Sequence, residues 1–292
     1  MMTILRFLVL LAGSSALLVP SVHAAETVSE KATASPEKNE VITPTETIQL
    51  LNGKDLSNFY TWIQDTGYED PRKVFTIQPD GILRVSGEGY GGLITRKEYA
   101  NYYLILEYRW GTETHLNRKE RARDGGLLLH CQGPDGNFGG RDGKPGPWMN
   151  SIECQVIEGG VGDILVLPGK DADGNVLPAS ATAKVVRDAK GAPYWDPNGK
   201  EETFTSGRIN WFGRDPEWKD VLGFRGPKDV DSPGQEWTRV ECIMDGDSLT
   251  YLVNGVVVNR ATKVFPNHGK IFLQTECAEM FVRKLELHPL KK

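Results

Sequence analysis

From Thr47 to the end, the chain is a succession of short runs in which apolar and polar residues alternate, each closed by Gly, Asn, Asp or Pro. KVFTIQPDGILRVSG, YYLILEYRWG, GGLLLHCQG, SIECQVIEG, WTRVECIMDGDSLTYLVNGVVVNRA and GKIFLQTECAEMFVRKLELHP are the clearest. A period of two puts successive side chains on opposite faces of a strand, and helix signals are almost absent. Pro79-Asp80-Gly81, Asp245-Gly246-Asp247 and Asn254-Gly255 supply residues that tolerate positive φ, as tight hairpins require. Many strands joined by short turns over about 245 residues predict an all-β domain, a β-sandwich of two antiparallel sheets of jelly-roll type with long loops. The stretch from about Lys170 to Val230 departs from this pattern. It reads as loop, and its Trp195, Trp211 and Trp218 argue for a functional loop rather than a disordered one.

Residues 1–24 read as a secretory signal peptide: Arg6 opens it, Phe7 to Leu18 is apolar, and Val22-His23-Ala24 offers a cleavage site after Ala24. The apolar run of about a dozen residues is shorter than the roughly 20 a spanning helix needs. Export to the periplasm or medium follows as an expectation, with no membrane contact after cleavage. Residues 25–46, rich in Glu, Lys, Ser, Thr and Pro and without an aromatic, read as a disordered tether. Residues 47–292 form one domain. With Arg6 removed, 33 basic residues face 39 acidic ones, a net charge of −6 without a basic cluster. That excludes nucleic acid and anionic membrane as natural partners and suits a neutral solute. Export would permit disulfides among Cys131, Cys154, Cys242 and Cys277. Each nevertheless sits in a strand-like run, as a buried free thiol would, and both readings stand.

Alternation assigns faces. Leu127, Leu129 and Cys131 share one face of their run, and Leu128, His130 and Gln132 the other; Ile152, Cys154 and Val156 oppose Ser151, Glu153 and Gln155. With the apolar sets inward, His130, Gln132, Glu153 and Gln155 fall on an exposed sheet face, beside the long Gly133–Asn150 loop that carries Trp148. Convergence of His130 with Glu153 or Glu158 in one sugar-sized pocket would favour an enzyme; the rival is a non-catalytic, lectin-like carbohydrate-binding module.

Two families resemble these motifs. Glu153-x-Gln155-x-x-Glu158 is similar to the Glu-x-Asp-x-(x)-Glu strand of laminarinase-like glycoside hydrolases, whose two Glu are nucleophile and acid/base. A broader resemblance covers the whole domain. LLNGKDLSNF at 50–59, DGILRVSGEGYGGLITRKEYANYYLILEYRW at 80–110, RDGGLLLHCQGPDG at 123–136, SIECQVIEGGVGD at 151–163, GQEWTRVECIMDGDSLTYLVNGVVV at 234–258 and GKIFLQTECAEMFVRKLEL at 269–287 follow in order. Together they resemble the 3-keto-disaccharide hydrolase domain family of exported proteins with a concanavalin-like jelly roll. Many members carry Asn-Ser-Gly followed by an Arg where this chain has Asp124-Gly125-Gly126 and His130.

The resemblance implies a carbohydrate substrate, a disaccharide or glycoside already oxidised at C3. A C3 ketone acidifies the C2 proton, so a base can remove it and the C1 substituent can leave by elimination, with water adding afterwards. His130, Glu153 and Glu158 are the candidate base and acid. Asp124, Gln155, Trp148 and Asp163 are candidate substrate-binding residues, Trp148 as an apolar platform for a sugar face. Gln155 and Asp124 could instead hold a divalent cation, the one cofactor the chemistry admits; its identity stays open. Asp171-Ala172-Asp173-Gly174-Asn175 resembles part of a calcium loop but lacks the distal Glu, which leaves a surface turn.

Overall fold

The computed structural model describes residues 40–291, so the signal peptide and residues 25–39 of the tether lie outside the described residues. Two antiparallel sheets carry the domain. The front sheet runs, in spatial order, Gly207–Ile209, Ile164–Leu167, Asn150–Ile157, Asp124–Gln132, Lys270–Glu276, Tyr90–Thr95 and Phe59–Ile63. The back sheet runs from Pro193–Trp195 through Ser180–Arg187, Val256–Phe265, Ser248–Val253, Thr238–Asp245, Tyr102–Thr114, Ala278–Pro289 and Leu83–Val85 to Phe75–Ile77. Neighbours far apart in sequence, such as Asp124–Gln132 beside Lys270–Glu276, give the crossed connectivity of a jelly roll. Among the described residues there is no α-helix, only a 3₁₀ turn at Leu116–Arg118.

The period-two pattern explains the layering. Leu127, Leu129, Ile152, Cys154 and Val156 of the front sheet meet Leu104, Leu106, Val240, Met244, Tyr251 and Val282 of the back sheet in one buried core. Each such large side chain contributes about 1.5–3 kcal/mol when removed from water. The turn chemistry is as expected at Asn254-Gly255: both residues have positive φ (47° and 81°), and Val253 pairs with Val256 around a two-residue loop. All four cysteines are free and buried, as core fillers.

Three expectations are corrected. The ordered chain begins before Thr47, since Val41–Ile42 pairs in parallel with Glu98–Tyr99. The stretch from Lys170 is not loop throughout. It includes the eight-residue strand Ser180–Arg187, whose buried residues Ala181 and Ala183 carry little hydrophobic signal.

The third correction concerns His130. The run Asp124–Gln132 pairs Leu129 with Ile152 but Gln132 with Asn150, and on its other side Leu128 with Phe272 but Cys131 with Lys270. One extra residue therefore sits in this strand, a β-bulge, and His130 holds it with φ of 59°. Beyond the bulge the faces exchange. Cys131 joins Leu128 on the outer face. His130 turns inward, with its ring edge-on to Tyr102 at 5.5 Å and Nδ1 3.1 Å from the Pro266 carbonyl. It is fully buried, and burial pushes its pKa down to about 4.

Below its ordinary pKa of 6.5 the unfolded chain binds a proton that folded His130 refuses, so this residue's contribution to stability is lost as pH falls from 6.5 to about 4. His130→Asn, which also tolerates positive φ, removes that dependence. In urea titrations the stability gap between wild type and variant is expected to narrow by about 3 kcal/mol over the window. A gap independent of pH would contradict a neutral, buried imidazole.

Candidate active site

The outer face of the front sheet is covered rather than wet. The Gly133–Asn150 loop and the residues beneath it form a second apolar cluster of Trp62, Ile94, Leu128, Cys131, Met149, Leu167 and Phe272. Beside this cover lies a cavity of about 220 Å³, lined by Arg118, Asp124, Phe138, Trp148, Glu153, Gln155, Leu165, Leu167, Arg208, Gln274 and Glu276. The depression beside Trp195 also carries two acids and two guanidinium groups, but its Arg187, Asp188 and Asp196 are not buried, whereas Asp124, Glu153, Gln155 and Gln274 are.

Strand geometry assembles the acids. Glu153 and Gln155 alternate outward from Asn150–Ile157, Asp124 opens the neighbouring strand, and Gln274 and Glu276 alternate along the strand after that. The cations come from elsewhere: Arg208 from the edge strand, Arg118 from the 3₁₀ turn. The Arg118 guanidinium donates to Asp124 and, at 2.9 Å, to Glu276. Gln155 donates to Asp124 at 2.6 Å and accepts from Arg208 at 3.0 Å. Arg208 also donates to Asp163 at 2.5 Å, and Asp163 further accepts from Arg214 and from the Trp211 backbone N–H at 2.8 Å. Gly126 lies beneath Glu153 and Gln274. A Cβ there would stand 2.5 Å from Glu153 Oε1 and 2.7 Å from Gln274 Oε1, so any larger residue would push these two side-chain ends aside. Gln274 is buried, and its Oε1 accepts no hydrogen bond from the protein.

The electrostatics follow from burial. Glu153 is 3% exposed and makes no ion pair among the described residues. Burial first, then the nearby Glu276, push its pKa up to about 8 against the pull of Arg208 and Gln274. Asp124 and Glu276 are likewise raised by burial, opposed by the Arg118 guanidinium that both accept from.

Of the residues named from sequence, Glu153, Asp124, Gln155 and Trp148 line the cavity; His130, Glu158 and Asp163 do not. The expected convergence of His130 with a glutamate is absent, because the bulge turns the ring into the sandwich. Glu158 is buried away from the cavity, where it accepts from the Arg123 backbone and side chain (2.9 and 2.6 Å) and from Gly223 N–H (2.8 Å). The laminarinase-like pairing of Glu153 with Glu158 is therefore not built. Asp163 reaches the cavity only through Arg208. Gln155 spends both ends of its amide on Asp124 and Arg208.

Arg118, Arg208, Gln274 and Glu276 were missed. The last two had a signal, since Phe272, Gln274 and Glu276 alternate onto one face; the arginines had none. A divalent cation does not fit. Asp124 and Glu276 already hold a guanidinium, and among the described residues no group of three His, Cys, Asp or Glu could hold a metal.

Residues 46–288 match the family model of the 3-keto-alpha-glucoside-1,2-lyase-like domain. The chain belongs to that family. It is thus a glycosyl hydrolase-like, carbohydrate-active jelly-roll domain. No curated protein matches it. Among solved structures, a candidate glycosyl hydrolase from Parabacteroides distasonis is similar at 16% identity and TM-score 0.45, covering 87% of this chain and 100% of that one. The κ-carrageenase of Pseudoalteromonas carrageenovora gives 12% and 0.41 over 89% and 98%. The Bacillus licheniformis β-glucanase gives 9% and 0.40 over 84% and 99%. At such values these likenesses say nothing of activity.

Glu153 offers a test of this electrostatic description. Between pH 4.5 and about 8 the folded chain keeps a proton on Glu153 that the unfolded chain has released, so stability falls as pH rises through that window. Glu153→Gln removes the penalty. Relative to wild type, the variant should gain roughly 3–5 kcal/mol between pH 4 and pH 9 in chemical denaturation. A constant difference would place the Glu153 carboxyl in contact with solvent.

Proposed function

We propose that this domain cleaves 3-keto glycosides by elimination and hydration, as an exported enzyme. The observation that carries the reading is a cavity in which the buried Glu153, free of ion pairs, stands with Arg208 and with two further acids, Asp124 and Glu276; burial raises all three acids, Glu153 to about 8. A general base works best with a pKa near the operating pH, and its acid partner must hold a proton at that same pH.

Glu153 takes the C2 proton of the keto sugar. The electron pair passes into the C2–C3 bond, and negative charge gathers on the C3 oxygen. The partly exposed Arg208 guanidinium, fixed by Asp163 and Gln155, stabilises that oxyanion. The C1–O bond then breaks, and the departing oxygen takes a proton from Asp124 or Glu276, whose protonated forms burial favours. The product is a C1=C2 double bond conjugated to the ketone. Water adds at C1, C2 regains a proton, and the free 3-keto sugar results. Trp148, packed edge-on to Tyr90 at 6.3 Å, covers an apolar sugar face, and the open Gln274 Oε1 accepts from a sugar hydroxyl.

The test incubates the protein with a 3-keto disaccharide and with its unoxidised parent, following release of reducing sugar. Cleavage of the keto form alone is expected. kcat/KM should fall on the acid side of an apparent pKa near 8, because the base must be ionised. Glu153→Gln should lose about 10³-fold, within the range of general-base catalysis. Cleavage of the unoxidised parent would refute elimination, and sugar binding without cleavage would mean a lectin. Gly126→Ala pushes Glu153 and Gln274 apart without altering either; a loss of about tenfold or more is expected, since small misplacements cost this much. Wild-type rates in that variant would remove Glu153 and Gln274 from the reaction.

A further inference from the structure

The 220 Å³ cavity lies below the roughly 300–1,000 Å³ of sites that enclose a whole ligand, which makes it a seat for one sugar ring. Cleavage at C1 requires the leaving group to lie outside it. A groove of about 900 Å³ runs between the Pro134–Pro145 segment and the Pro168–Val176 turn. Phe138 lines both the cavity and the groove, and Leu167 of the cavity is followed directly by Pro168 of the groove. The two spaces are therefore neighbours that meet at Phe138.

Both groove walls are fixed before any ligand arrives. Phe138 and Trp148 exchange backbone hydrogen bonds at 2.9 and 3.3 Å, and Trp62 Nε1 donates to Gly146 O at 3.1 Å. The Asn137 side chain donates to Gln132 O and accepts from Asn150 N. Opposite, Gly169–Lys170 pairs with Val176–Leu177 around a turn whose N–H groups are capped by Asp171. The Asp135 carboxylate is oriented by the Tyr60 and Tyr68 hydroxyls at 2.9 and 3.0 Å. Three cations, Arg141, Lys144 and Lys170, balance three anions, Asp135, Asp142 and Asp171. A balanced, hydrogen-bonding groove suits a neutral, hydroxyl-rich ligand rather than an acidic one.

We infer that this groove seats the leaving group and that the substrates are 3-keto oligosaccharides whose leaving side is a neutral chain of two or more sugar rings. The inference rests on the elimination reading above. Preformed walls bind without an ordering cost, and contacts remote from the reacting carbon can be used to raise the rate.

The experiment compares a 3-keto disaccharide with a 3-keto tetrasaccharide whose added rings extend the leaving side. For wild type, kcat/KM should be about tenfold or more higher for the longer substrate. Val176→Trp places a bulky ring in the groove from a side chain that is 70% exposed, and the advantage should fall towards unity. Arg141→Ala serves the same purpose should the tryptophan variant unfold. Disaccharide cleavage with no advantage for the tetrasaccharide overturns the groove and leaves the elimination reading standing. If neither keto sugar is cleaved, the elimination reading fails and calorimetric titration with the unoxidised tetrasaccharide decides the groove. Binding weakened about tenfold by Val176→Trp supports it; no binding, or binding the variant does not weaken, overturns it.

Discussion

Four carboxyl groups, those of the buried Asp124, Glu153 and Asp163 and of the half-buried Glu276, gather with three guanidinium groups, those of Arg118, Arg208 and Arg214. In a medium of low dielectric an unmatched charge is costly, so the fourth acid cannot ionise cheaply. The cluster lowers that cost by keeping a proton. Burial raises Glu153, Asp124 and Glu276 together. The sheet supplies the acids and the periphery the cations, so the balance exists only in the folded chain. Arg118 and Arg208 come from segments with little apolar burial of their own, and their partners hold them in place.

Glu158 shows how that periphery is tied down. Its carboxylate joins the Arg123 segment to Gly223, and its carbonyl accepts from Trp218 Nε1 at 2.8 Å. Trp218 in turn carries the Arg214 guanidinium on its face at 4.6 Å. Asp220 adds bonds to Arg118 and to Ala122 N–H. Glu158, outside the cavity, thus ties the segment just after Arg118 to Gly223 through its carboxylate and holds through its carbonyl the tryptophan on which Arg214 rests. Removing the Glu158 side chain would take away three hydrogen bonds from the part-buried donors of Arg123 and Gly223.

Alternation made the sandwich legible, and with it the shared face of Glu153 and Gln155, because a strand's period of two is local and strict. It failed at His130 for a physical reason. A bulge adds one residue, and every face beyond it exchanges; nothing in GGLLLHCQG marks the residue that will adopt φ of 59°. It failed again at Ser180–Arg187, where alanines fill the inward positions. Asp163, a candidate substrate-binding residue by sequence, instead holds Arg208. The arginines were out of reach because their placement depends on pairings between segments some 50 or more residues apart, as with Arg208 and Gln155. Glu276 was within reach, since the alternation that exposed Glu153 also applies to Gln274 and Glu276.

The sign of the charge that develops in the reaction separates the two mechanisms such a fold could run. Ordinary glycoside hydrolysis passes through an oxocarbenium-like transition state, positive at C1 and the ring oxygen, and needs two carboxyls flanking the bond. Here the glutamate that could complete that pair, Glu158, faces Arg123 and Gly223, and the cavity is lined by the guanidinium groups of Arg118 and Arg208. Elimination from a 3-keto sugar develops the opposite charge, on the C3 oxygen. A guanidinium already bound to Asp163 and Gln155 needs no reorganisation to meet it. The same proton count then serves both half-reactions. In the proposed elimination the site accepts the C2 proton at Glu153 and gives one up from Asp124 or Glu276. Its net charge is the same before and after the C1–O bond breaks, so no uncompensated charge has to be buried during the reaction.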